Sequence, residues 1–381
     1  MEKFSAFRDP GTGIQPFLTP VPPVGSNALA SALLPFGYIA GIVRTTAIAV
    51  LALLYMILVK GILILLSPIP PLHRMLSRII TAILGRLVLL VLGIWWIPVE
   101  VVTRKKGRNT KGSETWKPKA GDIIVSNWTS WIELLWLVFR FDPLFVLPIC
   151  SPVDTEKATP RNSNPITVTP GRRTGTGSAA ISSPIARTPV PRSKILGFTE
   201  GSLLTIISAT GATPFTPNEY PTYTSLESIR SKANRPIVVF PECTTSNGRG
   251  LLHFSDIFPN IQVPVDKFQV FVMCVKYDPP TSLSPTLSHS IPSATLNPLS
   301  HIFKLTTSLI PLTVSIRLLA PSESPSCATF LPSDHVSGLR SNDVLTECCA
   351  SLIAQVGKMK RVSFGWEDKV AFMEFYKGKK R

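Results

Sequence analysis

The feature that most constrains the fold is an apolar run near the amino terminus. Thr45 to Leu66 carries a single charge, Lys60. At about 1.5 Å of rise per residue, a helix of this length crosses a hydrocarbon core of about 30 Å. A second apolar run, Ile79 to Ile97, contains Arg86 and ends in two tryptophans and an isoleucine. The pair of runs predicts an N-terminal membrane hairpin over residues 44–98.

Two arrangements of this hairpin stay open. Either both runs span the membrane, or both form a re-entrant or interfacial hairpin in which Lys60 and Arg86 reach one membrane surface. Charges within both arms, and the proline-rich positive turn at 67–78, favour the second arrangement. A basic cluster follows the second run and favours its exit on the cytosolic side. Its members are Arg104, Lys105, Lys106 and Arg108.

Composition favours a membrane surface rather than a nucleic acid as the partner. Hydrophobic residues make up 45% of the 381 residues and charged ones only 16%, which is low for a soluble domain. The net charge of +16 suits an anionic lipid surface. No zinc spacing, helix-turn-helix pattern or aromatic–basic repeat indicates nucleic acid. The six cysteines form no Cys-x-x-Cys pair, and we interpret them as reduced cytosolic thiols.

A strand followed by a polar turn is the strongest sign of a binding site. Ile237 to Phe240 is typical of a short buried strand, which Pro241 ends. The turn concentrates hydrogen-bonding groups at the end of that strand, as binding sites do. The alternative is an ordinary Gly-rich loop. The polar residues of the turn are Glu242, Thr244, Thr245, Ser246, Asn247 and Arg249.

This turn resembles a family signature. Glycerolipid acyltransferases of the 1-acylglycerol-3-phosphate type carry Phe-Pro-Glu-Gly-Thr-Arg-Ser, and residues 240–246 match it at five of seven positions. The longer string through Gly250 looks most like a fungal branch of lysophosphatidate acyltransferases linked to vacuolar protein sorting. The resemblance covers roughly Leu87 to Tyr277, with a weaker match over 361–369. It implies an α/β fold, with a glycerolipid-acyltransferase-like mixed sheet and flanking helices.

The family's catalytic His-x-x-x-x-Asp box matches residues 128–133. Trp128 stands at the histidine and Glu133 at the aspartate, between an apolar strand and an apolar helix face. In the family the histidine removes the acceptor's proton, which an indole cannot do because it has only an N–H donor. Glu133, desolvated in a membrane-edge pocket, is then the candidate base. Alternatively, Trp128 packs against core or lipid, and Glu133 interacts favourably with the helix macrodipole.

Two arginines of the family pattern are absent. The box Gly-x-x-Phe-Ile-x-Arg has a partial match at 211–217, with Pro217 at the arginine, and Thr245 replaces the arginine of the signature. Because guanidinium groups bind phosphate through paired charge-assisted hydrogen bonds, these losses weaken the usual contact with the substrate phosphate. Arg249 either refills that role or is a solvated turn residue.

Low-complexity stretches divide the chain. Residues 1–43 are predicted to be a flexible cytosolic tail, since they lack the early apolar run of a signal peptide. Residues 99–278 form the acyltransferase-like domain, interrupted at 157–199 by an insertion without acidic residues, for which we expect disorder. Residues 279–300 are predicted to be a linker, and 301–381 complete the domain and end in a basic tail.

These residues and the resemblance predict a membrane-bound enzyme on the cytosolic face of the endoplasmic reticulum or a lipid droplet. The expected reaction is acyl transfer from acyl-CoA to lysophosphatidate or a related lysophospholipid. Glu133 and Trp128 are the catalytic candidates, and the six polar residues of the turn are the candidates for substrate binding. Acyl-CoA is a co-substrate, and we expect no metal or other cofactor because a base and hydrogen-bond donors suffice. The rival hypothesis is a catalytically silent relative that serves as a lipid-binding or sorting scaffold.

Overall fold

The chain folds into a mixed α/β domain with a long apolar helix near its amino terminus. The computed structural model describes residues 4–23, 28–103, 115–153, 190–336 and 343–378. Its helices are α1 (Ala28–Tyr55), α2 (Pro70–Val91), α3 (Ile132–Phe141), α4 (Leu203–Ala209), α5 (Leu226–Lys232), α6 (Leu299–Thr306), α7 (Val344–Gly357) and α8 (Trp366–Gly378). Its strands are β1 (Val99–Val102), β2 (Ile123–Ser126), β3 (Leu144–Cys150), β4 (Ile195–Gly201), β5 (Ile237–Val239), β6 (Gly250–Leu251), β7 (Val270–Tyr277), β8 (Val314–Leu319) and β9 (Lys360–Arg361).

The main sheet is mostly parallel. Among the described residues it has seven strands in the order β1-β8-β7-β2-β5-β3-β4. Strands β7, β2, β5 and β3 are parallel, whereas β8 and β4 are antiparallel to their neighbours β7 and β3. The parallel strands are rich in Val and Ile and almost entirely buried, as expected for strands covered on both faces. Their carboxyl ends share one edge of the sheet, where loops carry functional groups in folds of this kind.

Side chains along the central strands alternate between two cores, one on each face of the sheet. Ile124 and Val238 contribute to a core that includes residues of α2, α3 and α6. Ile123 and Val239 contribute to the opposite core, with residues of α5 and α7. The predicted α/β class with a mixed sheet is confirmed at this level of detail. A likeness to the acyltransferase fold stays a prediction.

The first apolar run lies in a longer helix than expected. After Tyr55, α1 continues through a π-helical segment (Met56–Gly61) and a 3₁₀ segment (Ile62–Leu66). The stretch Ser31–Leu66 is long and apolar enough to cross a membrane, and it is the one helix of this kind among the described residues. Its early part packs on α6, where the Arg44 Nη1 donates to the carbonyl oxygen of Ser308 at 2.6 Å.

The second apolar run is partly built into the domain. α2 packs against α3, and its residues Leu84 and Leu89 are buried. The membrane hairpin is therefore not confirmed and stays a prediction, because one face of its second arm belongs to the core. The other face of α2 exposes a stripe of apolar side chains at helical spacing. They are Leu72, Met75, Ile79, Ile83, Leu87 and Leu90.

The predicted flexible tail over 1–43 is wrong for residues 4–23 and for the start of α1. Phe7 and Phe17 are 3% and 1% exposed, and both rings contact Phe372 of α8. Burial of these rings offsets the entropy lost in ordering a Pro- and Gly-rich segment. Residues 4–23 therefore form a strap, which we call the N-terminal strap, across the C-terminal part of the domain.

Two other predicted boundaries are also wrong. Disorder over 157–199 does not hold for 190–199, because Val190 is buried and β4 pairs with β3, which offsets the ordering entropy. The expected linker at 279–300 belongs to the domain, since His289 is buried and its N–H donates to a backbone carbonyl. Residues 157–189, the basic cluster at 104–108 and the end of the tail at 379–381 lie outside the described residues.

Removing an aromatic anchor of the N-terminal strap should destabilise the whole domain. Phe17→Ala deletes a fully buried ring, and such changes cost about 3 kcal/mol or more. Denaturant unfolding of the detergent-solubilised protein would measure the loss. The control is Val21→Ala, where the side chain is 77% exposed and the change should stay within about 0.5 kcal/mol. Equal stability of the two variants would show that the strap is not part of the core.

Replacing two exposed apolar residues near the end of α1 with lysine should release the protein from membranes. Leu53 and Ile57 are 60% and 49% exposed on this apolar helix, and a membrane-buried lysine costs about 3 kcal/mol. We expect the wild type to remain in a carbonate-washed pellet, and the Leu53→Lys/Ile57→Lys variant to enter the supernatant. Leu331→Lys, at a 60% exposed position outside the helix, is the control and should stay in the pellet. Retention of the double variant would exclude α1 as the main anchor.

Candidate functional site

The candidate site lies where two neighbouring parallel strands end. β2 leads into the loop 127–131, and β5 leads into the turn 240–249. The backbone N–H of Trp128 donates to Glu242 Oε1 at 3.0 Å, and the N–H of Ser246 donates to the Trp128 carbonyl at 3.1 Å. The two segments that stand out in the sequence are therefore joined directly, although 114 residues separate Trp128 from Glu242.

Glu133 is a fully buried carboxyl group in the first turn of α3. Its Oε1 accepts hydrogen bonds from the backbone N–H groups of Thr129 and Ser130, both at 2.6 Å, and its Oε2 accepts the hydroxyl of Tyr277. Burial disfavours the ionised form and raises the pKa of Glu133 to about 7, although these hydrogen bonds lower it. A carboxyl group with such a pKa can exchange protons near neutral pH.

Glu242 is equally buried and connects three loops. Besides the Trp128 N–H, it accepts the N–H of Leu252 on its Oε2 at 3.2 Å. Burial raises the pKa of Glu242 to about 8, while the two hydrogen bonds and the charge of Lys369 act to lower it. In this geometry the carboxyl group holds loops in place, and its predicted contact with substrate stays a prediction.

Trp128, which the resemblance aligns with the family histidine, does not offer a base. Its ring is 3% exposed and stacks on Phe240, with ring centroids 5.0 Å apart and planes 24° apart. The indole Nε1 is buried and has no hydrogen-bond partner among the described residues. An indole N–H donates but does not accept a proton, so any proton acceptor in this region must be another group.

The hydroxyl groups of the turn are buried and bonded within the protein. They are therefore engaged in holding the turn against its neighbours, including the partial second box at 211–217. Their contact with substrate, expected from the sequence, stays a prediction. The Thr244 hydroxyl donates to the Ala212 carbonyl at 2.6 Å, the Thr245 hydroxyl donates to the His289 carbonyl at 2.7 Å, and the Ser246 hydroxyl accepts the Gly248 N–H at 3.2 Å.

A buried lysine from the last helix supports the turn. Lys369 Nζ donates to the Thr244 hydroxyl and to the Thr245 carbonyl, both at 2.8 Å. Burial lowers the pKa of Lys369 well below its usual range, whereas the Glu242 carboxylate acts to raise it. The lysine connects α8 to the signature turn, so the weak C-terminal resemblance over 361–369 includes a residue in contact with the site.

Cys243, which aligns with a glycine of the resembled signature, has a backbone conformation that favours glycine. Its φ of 55° lies in the left-handed region, which a glycine adopts at little cost. The side chain is buried against Cys150 and Trp366. A hydrogen bond with Cys243, together with burial, raises the pKa of the Cys150 thiol well above its usual range. Both cysteines are free thiols, as are the other four.

An open cleft adjoins the turn. It has a volume of about 370 Å³, and Asn247, Gly248 and Arg249 form part of its wall. Asn247 is held by the N-terminal strap, because its Nδ2 donates to the Gln15 carbonyl at 2.6 Å. Basic side chains predominate over a single acidic one, Asp278, in the lining. The basic residues are Arg249, Lys276, Lys358 and Lys360.

A larger cavity of about 570 Å³ lies away from the signature turn. Ile123 at the beginning of β2, Arg230 of α5 and Phe268 line it. It touches none of the predicted site residues, so the smaller cleft is the better candidate. Within the described residues, no group of three or more His, Cys, Asp or Glu side chains is arranged to hold a metal ion.

The structure brings the predicted site residues into one region but gives them different surroundings. Glu133, Trp128, Glu242, Asn247 and the three hydroxyl residues are buried, whereas Arg249 is exposed; Asn247 and Arg249 form part of the cleft wall. Sequence reasoning missed Tyr277 and Lys369. Tyr277 follows Lys276 at the polar end of a strand that is otherwise apolar, which is a usable signal. The basic residues of the cleft come from three separate segments, and among them only Arg249 stands in a motif that the sequence singles out.

Comparison of the chain with models of protein families, with curated proteins and with solved structures gives no match. The fold and the site together define a mixed α/β protein with a mostly parallel sheet and a candidate site at the carboxyl edge of its central strands.

Replacing Glu242 with glutamine should change how stability depends on pH. Folding raises the pKa of this carboxyl group from 4.5 to about 8. Its contribution is therefore fully present below about pH 4.5 and is lost as the pH rises through about 8. We expect the melting temperature of the wild type to fall relative to that of Glu242→Gln between about pH 5 and pH 9.

The exposed position Glu200 provides the control for this comparison. Glu200→Gln should follow the wild-type curve at every pH. The lowered pKa of Lys369 makes stability change with pH in the opposite direction. The informative quantity is therefore the difference in melting temperature between the wild type and Glu242→Gln at each pH. A constant difference across this pH range would show that Glu242 is ionised throughout.

Proposed function

We propose that the protein transfers an acyl group from acyl-CoA to the free hydroxyl of lysophosphatidate or a related lysophospholipid at a membrane surface. The observation that supports this most is the hydrogen bond between the Trp128 N–H and Glu242. It joins the two family-like segments at the carboxyl edge of adjacent parallel strands, which is where α/β proteins bind ligands.

The basic cleft supports a phosphorylated acceptor. A phosphomonoester carries up to two negative charges, and Arg249 with Lys276, Lys358 and Lys360 surrounds a space open to solvent. Guanidinium groups bind phosphate oxygens in pairs, so Arg249 can supply the contact that Pro217 and Thr245 do not. The arginine lies beside the signature turn, within reach of a ligand that also faces that turn.

Both proposed substrates are amphipathic and partition into membranes, so membrane attachment through the apolar helix would bring the protein to them. A protein held at the bilayer by the stretch Ser31–Leu66 meets lysophospholipid and acyl-CoA where they partition. The net charge of +16 favours an anionic cytosolic leaflet. We propose the endoplasmic reticulum membrane, a lipid droplet surface or both as the location.

The reaction needs a proton acceptor and stabilisation of developing negative charge. Side chains and backbone groups can supply both, so the proposed mechanism uses acyl-CoA as a co-substrate and no further cofactor. We propose that hydrogen-bond donors of the turn at 244–247 meet this charge, which requires Thr244, Thr245 or Asn247 to release the carbonyl oxygen it binds in this structure. Glu133, whose pKa is raised to about 7 by burial, is the candidate acceptor.

A catalytically silent lipid-binding or sorting scaffold is the second candidate function. The observation in its favour is the stacking of Trp128 on Phe240 at the position of the family histidine, together with complete burial of Glu133 and Glu242. A scaffold keeps such packing and needs no proton acceptor. It would still use the basic cleft and the apolar helix to contact lipid.

Truncating Arg249 should weaken the acceptor's binding without affecting acyl-CoA. Loss of a charge-assisted hydrogen bond costs about 1.5 kcal/mol or more, so Arg249→Ala should raise the KM for lysophosphatidate at least about tenfold. The assay follows product from labelled oleoyl-CoA with detergent-purified protein. The KM for monoacylglycerol, which has no phosphate, should not change.

Lys232→Ala, on the exposed end of α5 outside the cleft, is the matched control and should leave every KM unchanged. An unchanged KM for lysophosphatidate in Arg249→Ala would remove the cleft from acceptor binding. A wild type that binds vesicles containing lysophosphatidate but acylates no lysophospholipid would favour the scaffold.

A further inference from the structure

Tyr277 connects the open cleft to a buried carboxyl group. It is the last residue of β7, the strand next to β2, and it is half-buried. Its hydroxyl donates to Glu133 Oε2, while the residue also lines the cleft. Glu133 itself has no exposed surface. Among the described residues, Tyr277 is therefore the one that both lines the cleft and is hydrogen-bonded to Glu133.

The loop that holds Glu133 lies directly behind the cleft wall. Gly248 of that wall approaches Thr129 so closely that a Cβ at 248 would lie 3.0 Å from Thr129 Cγ2. The carbonyl of Thr129 accepts the N–H of His289, next to the cleft residue Ser288. Thr129 of the Glu133 loop therefore contacts the cleft wall both at Gly248 and through His289. These two contacts hold the Glu133 carboxyl group close behind the cleft.

The ionisable groups Glu242, His289 and His301 are hydrogen-bonded to residues other than Glu133. Glu242 accepts two backbone N–H groups. His289 Nε2 is hydrogen-bonded to Asn297, and burial lowers the pKa of His289 to about 4. His301 Nδ1 accepts the indole N–H of Trp131, and burial lowers its pKa to about 3. Charged residues on the elements packed around Glu133 and Tyr277 include Lys276 of β7, Arg317 of β8, Lys369 of α8, the α2 residues Arg74, Arg78 and Arg86, and Asp278 and Arg249 of the cleft wall.

We propose that Tyr277 and Glu133 form the proton-transfer pair of this site, with Tyr277 in contact with the acceptor hydroxyl and Glu133 holding the proton. This proposal rests on the proposed acyl transfer and names the groups that stand in for the absent histidine. Burial keeps the pKa of Tyr277 well above its usual range, so the phenol acts as a neutral relay and not as a phenolate base.

The step balances without a further reactant. The acceptor oxygen attacks the thioester carbonyl carbon and forms a C–O bond. Its proton passes to the Tyr277 oxygen while the proton of Tyr277 passes to the Glu133 carboxylate. Collapse of the tetrahedral intermediate breaks the C–S bond, and coenzyme A leaves as a thiolate. The proton on Glu133 returns through Tyr277 to that thiolate, which restores the site and releases coenzyme A as a thiol.

The decisive variant is Tyr277→Phe, which keeps the ring and removes the relay hydroxyl. We expect kcat to fall at least a hundredfold, as for loss of general acid–base catalysis, with the KM for acyl-CoA unchanged within about twofold. The kcat of Glu133→Gln should fall by a similar factor, and the kcat of the double variant should be no lower than that of either single variant. The wild-type kcat should rise with pH around the Glu133 pKa of about 7, because Glu133 must be ionised to accept the proton.

Tyr223→Phe, which removes a phenol outside the cleft lining, is the control and should retain wild-type kcat. A Tyr277→Phe enzyme with more than a third of wild-type kcat and the same pH profile would overturn the relay while leaving acyl transfer in place. A wild type without acyl transfer to any lysophospholipid would overturn the proposed function and the relay together.

A second variant covers the case in which Tyr277→Phe does not fold. Incorporating 3-fluorotyrosine at position 277 preserves the shape and the hydrogen bond but lowers the pKa of the phenol. If Tyr277 carries the proton, kcat and its dependence on pH should both shift by a measurable amount. An unchanged pH profile in this variant would overturn the proposal, since a purely structural ring would not respond to the acidity of its hydroxyl.

Discussion

The buried carboxyl group of Glu242 holds the candidate site together. It accepts the N–H groups of Trp128 and Leu252 and thereby connects the loop after β2, the signature turn and the segment that follows β6. Removing such a group from water is costly, and hydrogen bonds together with the nearby Lys369 offset part of that cost. The loop after β2 also binds Glu133, and the turn carries the hydroxyl groups and part of the cleft wall.

Much of the local structure around the site follows from the sequence. The apolar run before Pro241 predicts β5, and the apolar strand and helix face around 128–133 predict β2 and α3, because hydrophobic periodicity encodes these elements directly. The mixed α/β class followed from the family resemblance. The N-terminal strap did not follow, because its rings at Phe7 and Phe17 have partners far along the chain, and Pro- and Gly-rich composition is typical of disorder.

The sequence predicts some of the site residues but not all of them. Glu133 and Glu242 stand in family-like motifs, but the role proposed for Tyr277 depends on β7 lying next to β2, and local sequence does not encode strand order. Lys369 is likewise part of the site only because α8 places its ammonium group beneath the turn. In the proposed mechanism, the group that acts in place of a base at Trp128 comes from a neighbouring strand.

A cryo-EM or crystal structure of the full chain with lysophosphatidate bound would test this arrangement most directly. We expect the phosphate against Arg249 and the lysines of the cleft, and the free hydroxyl of the glycerol within hydrogen-bond distance of Tyr277. Phosphate density in the larger cavity lined by Arg230, or an acceptor hydroxyl out of reach of Tyr277, would contradict the site described above.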